Sequence, residues 1–195
     1  VMETEPWKGK SNVIDDEDSP AVYVSWEDAQ KLIEKLNADA GGGFRLPTEA
    51  EWERACRAGS NTAYCFGDDP GKPSLLGTDD GENLAAYAWY SENIWGKYAR
   101  VVGQKKPNAW GLHDMHGNVH EWGQDWDGKD DYGTTPENNP TSTSTTSTAR
   151  VVRGGSWRNG PGHCRSASRN GYLPLARGCH LGFRVVLVGE PMTPH

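Results

Sequence analysis

The chain has 195 residues, 35% of them hydrophobic, 10% aromatic and 24% charged, with 24 glycines and 9 tryptophans, a size that fits one domain with a sizeable core. Twenty basic against 27 acidic side chains leave a net charge of -7; this disfavours wholesale phosphate-backbone binding, so no nucleic-acid partner is expected, while a local basic patch stays compatible with the total. No run approaches the roughly 18 apolar residues of a membrane span and no charged-then-apolar leader opens the chain, so it reads as soluble, its compartment undetermined.

Residues 1–20 are polar and acidic, ending in Pro20 before the short apolar run Ala21-Val22-Tyr23-Val24, which predicts a strand. Ser25 and Asp28 form a capping-box pattern, Leu32, Ile33 and Leu36 supply an apolar face, and Gly41-Gly42-Gly43 stops the helix near Ala40. Thr48 and Glu51 repeat that pattern for a second helix, with Gly59 as its C-cap. Glu49, Glu51 and Glu53 cluster at this helix start, where the helix dipole favours carboxylates without any catalytic role.

From 60 to 110 aromatics and glycines are abundant and periodicity is weak, which predicts long ordered loops with one short strand at Ala99–Val102. Asp79, Asp80 and Glu82 in this stretch read as a solvated acidic turn rather than a cation site. Residues 134–149 are low-complexity Ser/Thr/Pro/Asn, expected to be a mobile surface loop. Arg150–Arg153 and Phe183–Leu187 read as strands that bracket residues 158–180, a stretch with neither helical nor strand period: a platform for display. Cys56, Cys65, Cys164 and Cys179 contain no C-x-x-C pair, so neither a disulfide framework nor a cysteine zinc site is indicated.

Five strings, VSWEDA at 24–29, FRLPTEAEWERACRAG at 44–59, NAWGLHDMHGNVHEW at 108–122, RGGSW at 153–157 and LGFRVV at 181–186, stand in one order. Together they resemble the formylglycine-generating-enzyme, or sulfatase-modifying-factor, domain family. That resemblance implies an α+β chain with a C-type lectin-like fold: a small twisted mixed sheet, two helices and much irregular loop, in a single domain over 1–195. The family's further N-terminal strands and glycine-rich segment have no counterpart here, which suggests a minimal or truncated version.

The resemblance does not carry the chemistry with it. Enzyme members hold copper(I) and substrate thiol on two cysteines five positions apart shortly after RGGS, and soft sulfur suits that metal. The corresponding residues Trp157–His163 contain no cysteine, and only Cys164 and Cys179 follow, so no copper and no catalytic residues are expected. His113, His116 and His120 are spaced by three and four, but the family string there is loop and strand, so shared metal ligation is not the favoured reading.

The string RGGSWRNGPGHCRSASRNGYLPLARGCHLGFRVV further resembles the variable region of diversity-generating-retroelement target proteins, which use this lectin-like variant. There a fixed frame (here Trp157, Pro161, Cys164-Arg165-Ser166-Ala167, Arg169, Pro174, Arg177 and Gly182-Phe183-Arg184) alternates with positions templated as asparagine codons. Adenine-directed mutagenesis of such codons cannot yield Lys, Glu, Gln, Met or Trp, and none of these occurs from 158 to 180. The resemblance makes 158–180 a variable ligand-binding segment with mutable positions Arg158, Asn159, Gly160, His163, Ser168, Asn170, Tyr172, Leu173, Ala176, Gly178, Cys179 and His180; Gly162, Gly171 and Leu175 stand at the margin of that set. Tyr172, Leu173, Arg158 and His180 are residue types that supply contact energy.

The expected partner is a ligand of unknown identity, a protein or other macromolecule, since an open patch suits a flat surface better than a small-molecule pocket. Two other readings stand beside it: an oxidase acting on a cysteine-containing peptide, and a structural or regulatory domain of a larger protein. The resemblance also implies calcium ligands at Asp114, Gly117, Val119 and Glu121, oxygen donors of the kind calcium takes; the alternative is that Asp114 and Glu121 only hold loop backbone. His120 and Gly123 stand where the family commonly has Trp and Cys, and Trp122 and Trp126 read as core anchors.

Overall fold

A computed structural model describes residues 5–14, 16–71, 83–94, 98–128 and 147–188. Residues 134–146 of the low-complexity stretch, and Asp79, Asp80 and Glu82, lie outside the described residues.

Helix α1 spans Trp26–Ala40 and carries its full capping box: Ser25 Oγ accepts from the Asp28 amide, and Asp28 accepts from the Ser25 amide at 3.0 Å. It ends at Gly41, whose φ of 82° is left-handed, and buries Ala29 and Ile33. The three glycines then turn the chain into strand β1, Phe44–Arg45, which Asn37 holds by accepting from the Phe44 amide at 2.7 Å and donating to its carbonyl at 2.9 Å. Helix α2, Glu49–Arg57, has the Thr48–Glu51 capping box and buries Trp52 and Cys56. Its left-handed C-cap is Ala58, at φ 46°, with Gly59 following at 94°: the αL position falls one residue earlier than the glycine suggests.

A third helix, α3 at Leu84–Tyr87, lies in the stretch expected to be loop; Asn83 caps it, and Leu84, Ala85 and Ala86 of its four residues are buried. One turn is too short for a periodic signal. Two expected strands do not form. Val22 and Val24 are buried, but Tyr23 between them adopts φ 57° and breaks the extended run, its amide donating to the Gly178 carbonyl. Over Ala99–Val102 the backbone pairs with a side chain instead of a strand: the Asn118 amide accepts from Arg100 N at 2.9 Å and donates to Arg100 O at 3.0 Å.

Strands β2 (His120–Trp126), β3 (Arg150–Arg153), β4 (Arg169–Tyr172) and β5 (Leu181–Gly182) form a four-stranded mixed sheet in the order β4-β3-β2-β5, with β2 and β5 parallel and the other pairs antiparallel. Strand β6, Val186–Leu187, pairs separately with β1. Of the strand expected at 183–187 only Val186–Leu187 forms, while Phe183–Val185 joins no sheet, and the segment expected to be wholly irregular contributes β4. The core between α1 and the sheet gathers Val24, Ala29, Ile33, Leu46, Trp122, Val152 and Leu181, and Trp122 Nε1 donates to the Val24 carbonyl at 2.9 Å, so the ring is both packed and satisfied. No helix among the described residues is long and apolar enough to cross a membrane.

Candidate functional site

The segment 158–180 leaves β3 through Gly154 and Gly155, at φ 91° and 71°. Gly155 is also fixed by contact: a Cβ there would lie 2.8 Å from the His163 carbonyl oxygen and 2.9 Å from Cys164 Sγ. The chain makes a 3-10 turn at Pro161–Cys164 and returns as β4 beside β3. Trp157, Cys164 and Ser166 point inward and are buried; Trp157 Nε1 donates to the Cys179 carbonyl at 3.1 Å, and Tyr64 Oη to the Pro161 carbonyl at 2.9 Å.

Four arginines stake this segment and its flanks to the rest of the fold. Arg153, 1% exposed, donates to Glu53 at 2.5 Å, to the Ser166 carbonyl at 2.9 Å and to the Ser168 carbonyl. Arg169 forks onto both oxygens of Glu49 at 3.0 Å and pairs with Asp127 at 3.1 Å. Arg177 pairs with Asp28, the capping acid of α1, and donates to the Tyr23 carbonyl at 3.0 Å. Arg184 forks onto Glu121 at 2.5 Å. Planar guanidinium-carboxylate forks fix orientation as well as position. Glu49 and Glu53 thus serve the frame, and Glu51 is held by Arg45 at 2.6 Å.

Between these stakes the remaining side chains range from exposed to buried. Arg158 and His163 are exposed and Leu173 is 61% exposed; Asn159, Gly160, Ser168, Asn170, Tyr172, Ala176 and His180 are half-buried. Gly178 and Cys179 are buried and correct the expectation for those two positions: Cys179 packs with Val22, Ala99, Val119 and Trp157, and the Gly178 carbonyl accepts from Tyr23. Among the marginal glycines, Gly162 faces open space, whereas a Cβ on Gly171 would fall on the Asp127 carboxylate that Arg169 holds.

At the centre lies a residue that sequence reasoning did not assign to the surface. The rings of His120, Tyr172 and His180 form a triangle with centroids 6.0–6.1 Å apart, and Tyr172 Oη sits 3.4 Å from His180 Nε2. His120, 2% exposed, is pushed down to about 4 by burial and then by the neighbouring charge of His180, with His163 and Asn159 also acting on it. Burial and the charge of Arg158 lower His180 in turn. Tyr172 and His180 therefore pack against His120, and Arg158 acts on the outer of the two imidazoles, His180. The replacement of the family's Trp by His120 was the available signal, but the sequence did not show that β2 begins beside β5.

The three motif histidines do not converge. His113 Nδ1 meets the Lys105 carbonyl at 2.7 Å. His116 Nε2 accepts from the Cys65 amide at 3.1 Å, so the proton is on Nδ1, which donates to the Cys164 carbonyl at 2.8 Å. Both nitrogens are committed to backbone, and burial holds the ring neutral with a pKa of about 4. No group of three or more His, Cys, Asp or Glu side chains among the described residues could hold a metal ion. All four cysteines are free thiols. Cys164 packs with Tyr64, Leu84 and Tyr90 while Cys179 lies in the separate Val22–Trp157 cluster, and burial pushes the Cys164 thiol up to about 12, far from a thiolate at neutral pH.

The expected calcium ligands do not fit that ion as they stand. Both Glu121 oxygens accept from Arg184 at 2.5 Å, and Oε2 also from Trp52 Nε1 at 2.6 Å. Asp114 Oδ2 accepts from the Gly103 amide at 2.8 Å, leaving Oδ1 buried and without a partner among the described residues. Gly117 is required because a Cβ would collide with the Trp89 carbonyl, and Val119 is buried. Calcium takes six to eight oxygens; here it would have to displace the Arg184 guanidinium.

A mixed, curled sheet of short strands with three capped helices and long ordered loops among the described residues defines a C-type lectin-like domain. Residues 2–188 match the sulfatase-modifying factor enzyme 1-like domain family, and the chain belongs to that family. The formylglycine-generating enzyme of Streptomyces coelicolor is 32% identical over 92% of this chain and 56% of its own length, so the chain spans little more than half of that curated relative. Treponema denticola variable protein 1 superposes with a TM-score of 0.77 at 27% identity, covering 95% of this chain and 78% of its own. PvdO from Pseudomonas aeruginosa superposes with a TM-score of 0.74 at 32% identity, covering 86% and 61% respectively.

Proposed function

We propose that this protein is a non-catalytic, diversified binding protein: a retroelement target whose segment 158–180 presents exchangeable side chains on a fixed lectin-like frame. The observation that carries this reading is the division of labour within the segment. Trp157, Cys164 and Ser166 are buried and Arg169 and Arg177 are ion-paired, while Arg158, His163 and Leu173 between them face solvent. A rigid platform that carries replaceable side chains is how loops acquire binding without loss of fold. The likeness to a protein named as variable supports it. The separate burial of Cys164 and Cys179 speaks against the oxidase reading, because a shared copper or substrate thiol needs two sulfurs in one accessible site.

A displayed library randomised at Arg158, Gly160, His163 and Leu173 and selected against lysozyme, as an arbitrary protein probe, tests the proposal. Folded clones that bind lysozyme specifically are the expected result. A library in which most clones fail to fold overturns it, as does conversion of the cysteine in an added peptide by the purified protein.

A further inference from the structure

The segment 158–180 contains four arginines and two histidines and no Asp or Glu, a formal +4 within a chain of net -7. Asparagine codons altered at their adenines reach Asp as readily as His or Arg, so the absence of acid is not imposed by the coding scheme. Two of the arginines are answered by carboxylates, Arg169 by Glu49 and Asp127 and Arg177 by Asp28. Arg158 and Arg165 are exposed and, among the described residues, pair with no carboxylate; Arg158 instead lies 5.8 Å over the Trp157 ring.

A second, independent observation lies beneath Arg158. Nδ1 of His120 and Nδ1 of His180 are both buried and have no hydrogen-bond partner among the described residues. A buried polar nitrogen left unpaired carries a desolvation penalty that a ligand oxygen relieves. Both imidazoles lie within electrostatic reach of a second cationic or protonatable side chain, His180 of Arg158 and His120 of His180 and His163. Such a group of donors is complementary to a negative oxygen, and a cation there would be repelled.

We propose that His120, His180, Arg158 and His163 form a receptor for a carboxylate side chain of an acidic protein partner, with His120 as a contributor from outside the variable segment. This rests on the display reading above and gives its ligand a chemistry. A protein carboxylate fits better than a polyphosphate. Arg158 brings one fixed cation beside imidazole donors instead of a stripe of cations, the chain as a whole is acidic, and half-buried Tyr172 and exposed Leu173 offer aromatic and apolar contact that a phosphate backbone does not use.

Fluorescence anisotropy at low salt tests it with three labelled probes: an alternating Asp/Leu peptide of about twelve residues, its Asn/Leu counterpart, and an oligo-dT of the same length. The acidic peptide should bind at least about tenfold more tightly than its amide counterpart. Arg158→Ser with His163→Ser should abolish that preference while the melting temperature holds. His120→Asn, checked for an unchanged fold by circular dichroism, should weaken it as well. Equal binding of the two peptides, tighter binding of oligo-dT, or an undiminished preference in the Arg158/His163 variant overturns the proposal. Failure here alongside successful selection of lysozyme binders removes the carboxylate receptor and leaves display intact; failure of the selection removes display.

Discussion

Lowering the pH from 7 to 5 should destabilise this protein through two buried imidazoles. His116 and His120 are 1% and 2% exposed, and both have folded-state values of about 4 against an ordinary 6.5. A depressed folded value means that the unfolded chain binds a proton where the native chain does not. The stabilisation is therefore whole above about pH 6.5 and is lost as pH falls towards 4. Linkage with these values gives a loss of about 2 kcal/mol per histidine between pH 7 and 5, hence about 4 kcal/mol for the pair, a large part of the 5–15 kcal/mol typical of a domain. His180 is shifted the same way, whereas Asp114, raised by burial, works in the opposite sense. Urea denaturation at pH 7, 6 and 5 measures the effect. His116→Gln keeps a donor and an acceptor for the Cys65 and Cys164 backbone but cannot titrate, so its loss over the same range should fall to about 2 kcal/mol. A wild-type loss below about 1 kcal/mol, or a slope in His116→Gln equal to that of wild type, would refute the assignment of neutral buried imidazoles.

Gly155→Ala, at φ 71° with the His163 carbonyl and Cys164 sulfur in the way, should cost at least about 2 kcal/mol by chemical denaturation. Gly160→Ala, at φ -71° with nothing within 4 Å, should change stability by less than about 0.5 kcal/mol. Arg169→Gln releases Glu49 and Asp127 together and should raise amide exchange in β4 well above that in β2, measured by hydrogen exchange. Saturating calcium should leave the melting midpoint unmoved, because Arg184 already occupies Glu121; a rise of several degrees in differential scanning calorimetry would mean that the ion displaces the guanidinium.

The parts of the fold written in local chemistry were legible. Both capping boxes, at Ser25/Asp28 and Thr48/Glu51, stand where the pattern placed them, because a cap is decided within four residues. Parts decided by distant partners were not legible. The run Ala21–Val24 has strand composition, but Tyr23 takes a left-handed conformation and its backbone bonds to Gly178. The residues Arg169–Tyr172 look irregular and form a strand because β3 offers them an edge.

The site shows the same division. The exposure of Arg158, His163 and Leu173 agrees with their expected place on an outer surface. Burial of Gly178 and Cys179 was not legible, because it depends on Val22 and Tyr23 more than 150 residues earlier in the chain. Likewise, Glu121 reads as a calcium ligand beside Asp114 in the sequence, yet its carboxylate faces Arg184 from 63 residues away.

The central claim is that the outward side chains of 158–180 are separable from the fold and the inward ones are not. Calorimetric melting of Arg158→Ser/His163→Ser/Leu173→Ser beside the single substitution Arg153→Met tests it. Three substitutions on the outward face should shift the midpoint by no more than about 5 °C. Arg153→Met leaves the Ser166 and Ser168 carbonyls without their buried donor and leaves half-buried Glu53 to Arg57, costing about 2–4 kcal/mol and lowering the midpoint by roughly 10 °C. A threefold variant that melts as low as Arg153→Met would contradict the claim, because the supposed display positions would then be holding the fold together.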